Sequence, residues 1–386
     1  MFAALIAALA LQTATPNEVT IGDAVSAVEQ QDYARAMDIA RRFAEAGHPD
    51  GHHLLGHLYA NGLGVRRDVN KAVEHYVSAA TAGQTNAQFA LGELAYTGEG
   101  AKQDWQRAAE WYNLAAAKGH MLAKTRLAYM YSEGQSVPQD PHRAAFLFEE
   151  AANAGVPAAQ YHLALLYLEG TGKPKDFTAA AEWFEKAALS GDADSMYNLA
   201  LMYEAGKVGD ASNFEGAVHW MRQAAEAGVL PAKVSMGLLA YNGRGMERSE
   251  TEAIKWFRQA AEDGEPEGMF LYSVALSEGL GGKRDFQKAL TWADRSVAAS
   301  QGQPQSILAE RVDLRDQLRN ILARERLLAQ RPVPLAESAA VQTAQQVSLI
   351  PQAPAEAPSD PPETTPAVTA QAEEDAPPVR RRRGLR

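Results

Sequence analysis

Apolar positions along this chain recur at helical spacing, and glycine cuts them into blocks of even length. Glycine falls at Gly47, Gly83, Gly119, Gly155, Gly191, Gly228 and Gly264, in steps of 36 residues with a single step of 37. A second series, from Gly62 and Gly98 to Gly243 and Gly279, follows the first by 15 residues. The long step contains the loop GKVGDASN, one residue longer than its counterpart GEGAKQD, and a surface loop tolerates such an insertion. A fixed period of this length predicts stacked copies of one small unit.

Two helical patterns alternate between the glycines. The first carries a small residue near its middle, as in Leu55-Gly56, Leu91-Gly92, Leu127-Ala128, Leu163-Ala164 and Leu199-Ala200, where a neighbouring helix can approach closely. The second begins at Asp68, Asp104, Asp140, Asp176, Asn213, Ser249 or Asp285, whose side-chain oxygens are suited to capping a helix N-terminus. Alanine follows four residues after each cap, from Ala72 to Ala289. Seven residues after the cap stands a bulky ring in most copies: His75, Trp111, Trp183, Trp220, Trp256 and Trp292, with Leu147 the exception. Spacings of 4, 7 and 11 predict one buried stripe, in which the ring at position seven is the large knob.

These residues resemble the Sel-1-like repeat, a relative of the tetratricopeptide repeat with a period near 36 residues. The pattern can be followed in GHHLLGHLYANGLGVRRDVNKAVEHYVSAATAG from Gly51. The resemblance implies an all-α fold, a right-handed α-solenoid of stacked helix-turn-helix repeats. Seven full repeats are expected over residues 48–300, led by a capping hairpin at 18–47 in which Asp32, Ala36 and Ile39 hold the repeat positions. The third copy departs from the pattern in SEGQSVPQD, which lacks the second loop glycine. After the repeats, 303–330 reads as one amphipathic helix with Ile307, Val312, Leu314, Leu318, Ile321, Leu322 and Leu328 on its apolar side. Its expected role is to cover the last repeat, with coiled-coil pairing as the alternative.

The turn TGEGAKQD at residues 97–104 has the look of a glycine-rich phosphate cradle leading into a helix. Its siblings Asn61-Gly62-Leu63-Gly64, Gly170-Thr171-Gly172 and Gly243-Arg244-Gly245 hold the same place in other repeats. A structural joint recurs in this way. No strand precedes the turn and no Lys-Ser/Thr follows it, so the P-loop context is missing. The first glycine is read as a helix terminus and the second as relief for the bend into the next helix.

Composition narrows the chemistry further. The 386 residues are 46% hydrophobic and 22% charged, enough to bury a large core. A formal net charge of -11 argues against a nucleic-acid binder. The absence of cysteine removes disulfides, thiolate catalysis and cysteine-ligated metals. The apolar run from Phe2 to Leu11, with Ala8-Leu9-Ala10 as a small-x-small site near its end, reads as a signal peptide over 1–15. A periplasmic or secreted protein is the expectation, with a cytoplasmic one as the alternative. From residue 331 the chain turns proline-rich, with no aromatic residue, and is expected to be a disordered tail. Its Arg380, Arg381, Arg382 and Arg383 offer a weak envelope contact. No membrane span is expected in the mature chain.

No catalytic constellation, cofactor site or metal site stands out. His53 and His57 have the i, i+4 spacing of a shared ligand pair, but no glutamate or third ligand accompanies them, so they read as helix residues beside a ring pocket. Glu93, Glu110 and Glu182 read as solvated helix faces. Some cysteine-rich relatives of the family have been described as beta-lactamases, yet this chain has neither a cysteine framework nor an S-x-x-K motif. A glycan-binding factor of the cell envelope is the other alternative, weakened by placing the tryptophans on a buried stripe.

The expected function is a non-catalytic protein–protein interaction scaffold. By analogy with tetratricopeptide repeats, positions 6, 10 and 13 after each closing glycine should line the concave face. That places Phe89, Tyr96 and Tyr129 in the groove, with Tyr161, Leu165, Tyr197 and Leu201 following and Leu238, Tyr241 and Phe270 toward its end. Apolar anchors of this kind would suit a protein or peptide partner. The competing expectation is that these rings pack between helices and contribute only stability.

Overall fold

A computed structural model describes residues 19–209 and 211–329. The expected signal segment, the proline-rich tail and its four arginines lie outside the described residues. Among those described there are seventeen helices and no strand. They fall into two compact units divided between Trp183 and Phe184.

In the first unit, α1 (Ile21–Glu29) and α2 (Tyr33–Glu45) form the leading hairpin. Then α3 (Pro49–Asn61) pairs with α4 (Val69–Thr81), α5 (Thr85–Thr97) with α6 (Trp105–Ala117), and α7 (Met121–Glu133) with α8 (Pro141–Asn153). Next come α9 (Pro157–Glu169) and α10 (Phe177–Leu189), the helix in which the division between units falls. In the second unit α11 (Ala193–Glu204) pairs with α12 (Phe214–Glu226), α13 (Leu230–Asn242) with α14 (Glu250–Glu262), and α15 (Pro266–Glu278) with α16 (Phe286–Ala299), before α17 (Gln305–Ala329). From α1 to α9, and again from α11 to α17, each helix packs on the next in sequence, so the stack grows by neighbour contacts.

The caps act where the sequence places them. The Lys71 N–H donates to Asp68 Oδ1 at 3.1 Å, Arg107 to Asp104 at 3.0 Å, Ala179 to Asp176 at 3.0 Å and Lys288 to Asp285 at 2.9 Å. Each bond satisfies one of the backbone donors that a helix start leaves without a partner.

The buried stripe of the second helices differs from the expected one. The side chain that is fully enclosed stands eight residues after the cap: Tyr112, Phe148, Phe184, Met221 and Phe257 are each at most 1% exposed. The ring at position seven is half-buried in Trp111, Trp183 and Trp256, and His75 likewise, while Trp220 and Trp292 are buried. Helical geometry explains the shift. Positions 4, 8, 11 and 12 form one face, and position 7 stands at its flank. From that flank Trp111 packs back on a cluster of Ala72, Tyr76 and Ala79 from the preceding repeat and Leu91 from its own. The enclosed ring meets the small residue of the first helix, with Gly56 under Tyr76, Gly92 under Tyr112 and Gly237 under Phe257.

The second loop glycine is also set by a contact. A Cβ at Gly100 would lie 2.5 Å from Val69 Cγ1, at the start of α4 in the preceding repeat. The glycine therefore serves the seam between repeats as well as the bend. In the third copy Ser136 takes the equivalent place with a left-handed φ of 55°.

The second unit ends on α17. Leu314 and Leu318 are buried in one cluster with Phe270 and Trp292. Arg311 is buried beside them, donating to Glu267 Oε2 at 2.6 Å and to Gln303 Oε1 at 3.1 Å. Further along the helix Ile321 and Leu328 are exposed.

Candidate interaction surface

The ten residues expected to line a groove divide into two groups. Tyr161, Leu165, Tyr197, Tyr241 and Phe270 are at most 8% exposed, so they have no surface to offer a partner. The offsets do not separate the two groups, since positions 6, 10 and 13 each hold buried and half-buried residues, and that corrects the borrowed rule. Phe89, at position 6, packs one side of its ring toward Tyr112 at 5.9 Å and keeps part of its surface. Phe270 is taken up by the core under α17. Phe89, Tyr96, Tyr129, Leu201 and Leu238 keep part of their surface.

In the first unit, α5 carries Phe89 and Tyr96 beside a charged pair shared with α7, and Tyr129 stands further along α7. Arg126 on α7 forms a two-pronged bond to Glu93 on α5, Nε to Oε1 at 2.8 Å and Nη2 to Oε2 at 2.7 Å. The Tyr112 hydroxyl donates to the same Oε1 at 2.5 Å. Burial, reinforced by the adjacent Glu93 carboxylate, pushes the Tyr112 hydroxyl pKa up, so it stays a donor. The Arg126 guanidinium stands 6.0 Å from the centre of the Tyr96 ring, and Tyr96 Oη donates to Gln135 Oε1 at 3.4 Å. Phe89 stacks on His120 at 4.6 Å, and His120 Nδ1 caps α7 by accepting the Ala123 N–H at 3.1 Å. Burial holds His120 below the usual imidazole pKa, with Glu93 opposing the shift. Tyr129 lies edge-on to His162 at 5.9 Å.

Sequence patterning placed Glu93 on a solvated face, and the structure corrects this. The signal was present: Glu93 is the one acidic residue at a position held elsewhere by His57, Tyr129, Leu165, Leu201, Leu238 and Val274. Its partner, 33 residues on, could not be chosen from spacing alone.

The histidines rearrange too. His53 packs on the Tyr76 ring at 5.9 Å and burial lowers its pKa to about 4. The Asn61 side-chain amide lies 3.3 Å from His57 Nδ1. Spacing paired these two; the fold instead joins His52 to His75, with their Nδ1 atoms 3.1 Å apart. Among the described residues no group of three His, Asp or Glu side chains is placed to hold a metal ion. No helix there is long and apolar enough to cross a membrane.

A regular stack of helical hairpins closed by a covering helix defines an α-solenoid repeat protein. A family model described as Sel1 repeat matches seven times, at residues 49–84, 85–120, 122–156, 157–192, 193–229, 231–265 and 266–300. The chain belongs to the Sel1 repeat family. Among solved structures it is similar to a Sel1 repeat protein from Oxalobacter formigenes, at 25% identity and a TM-score of 0.58, over 79% of this chain and 97% of that one. It also matches a protective antigen of uropathogenic Escherichia coli with an SLR fold, at 24% identity and a TM-score of 0.42, over 84% of this chain and 89% of that one. No curated protein matches the chain.

Proposed function

We propose that this protein is a non-catalytic scaffold that binds another protein or peptide on the side of its first unit where α5 and α7 meet. The observation that carries the reading is that Phe89, Tyr96 and Tyr129 are half-exposed on one core cluster, with Tyr96 held against the Glu93–Arg126 pair. Aromatic rings held in place by neighbours lose little conformational freedom on binding, which is how a few residues come to dominate an interface. The Sel1 repeat fold supports the class of function, since stacked helical repeats present extended surfaces to partners. The apolar segment at the N-terminus motivates placing the scaffold in the periplasm or cell envelope.

The test uses affinity purification from cells producing the full chain, alongside a variant with Tyr96→Ala and Tyr129→Ala. A specific partner retained by the native chain and lost from the double variant, at unchanged thermal stability, supports the surface. Retention of that partner by the variant rejects it. N-terminal sequencing of the mature protein tests export separately, and a chain still beginning at Met1 removes that part of the reading.

A further inference from the structure

We propose that His52 and His75 form a two-imidazole site for a divalent transition metal ion of the copper, nickel or zinc class. This is independent of the scaffold reading. The two side chains come from facing helices of the first repeat, α3 and α4, and their Nδ1 atoms lie 3.1 Å apart. Two nitrogens at that separation, each bonded to a metal at about 2.0–2.1 Å, subtend an angle of about 95–102° at the ion, between octahedral and tetrahedral values.

The repeats supply an internal comparison. At the position of His52 the other copies have Gln88, Lys124, Gln160, Met196, Lys233 and Met269. At the position of His75 five of them have tryptophan and one has Leu147. The fold is satisfied by those residues: Gln88 and Gln160 donate to the carbonyls of Ala80 and Ala152 at 3.1 and 3.2 Å. The first repeat alone places an imidazole at both touching positions, and the stacking of helices does not require it.

The surroundings leave room for an ion. Tyr59 stacks on His75, with centroids 5.7 Å apart and planes 10° from parallel, which fixes the plane of that ligand. Both histidines line a cleft of about 340 Å³ together with Arg41, Glu45, Leu55 and Tyr59. Glu45 lines the same cleft without joining the pair as a third ligand, and water completes the coordination. Arg41 carries positive charge on the same cleft, and Lys71 stands 5.4 Å from the Tyr59 ring. These oppose a cation, so the ion must gain strongly from imidazole nitrogen, which selects copper(II) over calcium or magnesium. On binding, the ring that carries the Nδ1 proton takes up its Nε2–H tautomer, so that both imidazoles ligate through Nδ1 as neutral donors.

The experiment titrates copper(II) into the tag-free full chain by calorimetry, with electron paramagnetic resonance to count imidazole nitrogens. Two variants restore what sister repeats hold, His52→Gln and His75→Trp. The expected result is one tight equivalent with two coupled nitrogens, weakened at least about tenfold in each variant. If wild type and both variants bind alike, other histidines are responsible and the site is rejected. It is rejected equally if wild type takes up no copper by about 1 mM, an affinity too weak for a specific site. Circular dichroism confirms folding; should His75→Trp fail to fold, His52→Gln decides.

Discussion

A Cβ built on Gly92 would lie 2.4 Å from Cε1 of Tyr112, so the ring occupies the space a side chain would need. The same relation joins Gly56 to Tyr76 and Gly237 to Phe257, while repeats with alanine, Ala128 and Ala200, hold Phe148 and Met221 there. Gly92→Ala should therefore destabilise the first unit by about 1–3 kcal/mol, through displacement of a ring that is packed on all sides. Adding Tyr112→Met, which reproduces the Ala200 and Met221 pairing, should recover part of that loss. Urea unfolding of the two variants checks the order; an additive double variant would show that the pair does not act as a unit.

Ser136 takes the left-handed conformation that glycine holds at this loop position in the other copies with a GxG turn. Its Cβ makes that conformation costly, whereas glycine adds freedom to the unfolded chain. Relief of strain is the larger effect, so Ser136→Gly is expected to stabilise by about 0.5–1 kcal/mol. Thermal unfolding with a lowered midpoint would contradict this.

Glu93 accepts from Arg126 and Tyr112 together in a half-buried setting. Glu93→Gln keeps the shape and removes the charge that Arg126 faces, at an expected cost of about 2 kcal/mol. Tyr112→Phe removes one neutral donor to a charged acceptor and should cost less. Denaturant titration of both gives the ranking, and equal losses would mean the ion pair adds nothing beyond the hydroxyl bond.

Acid should loosen the first unit before the second. Eight of the nine histidines lie before Trp183, and burial lowers the pKa values of His57 and His120. Above the unfolded value of about 6.5 both states are neutral and nothing changes. As pH falls below it the unfolded chain binds protons that the native chain resists, and stability declines until the depressed native values are reached. Protonation also removes the Nδ1 acceptor with which His120 caps α7. Hydrogen exchange at pH 7.5 and pH 5, each expressed as protection relative to the intrinsic rate at that pH, should show protection lost in acid in α5 and α7 with α15 little altered; unchanged protection in all three would refute the idea.

Period, caps and turn glycines were legible in the sequence because each is local. Asp104 caps α6 and Gly98 ends α5 through contacts within a few residues, so spacing alone carries them. Seven repeats follow from the same regularity. The candidate surface was half legible. Phe89, Tyr96 and Tyr129 remain accessible, but Tyr161 and Tyr197 are buried although they share the offset of Phe89, because the packing of each repeat on its neighbours, and not the offset, decides what is covered.

What the sequence by itself determined is the repeating helical hairpin, since helix periodicity, capping and left-handed glycine are properties of short segments. Tertiary structure decided which ring of the Trp-Tyr and Trp-Phe pairs is enclosed, which carboxylate is paired and which histidines meet. Glu93 and Arg126 are 33 residues apart, and His52 and His75 are 23 apart. Helix rotation places each pair, and only packing against the neighbouring helices sets that rotation.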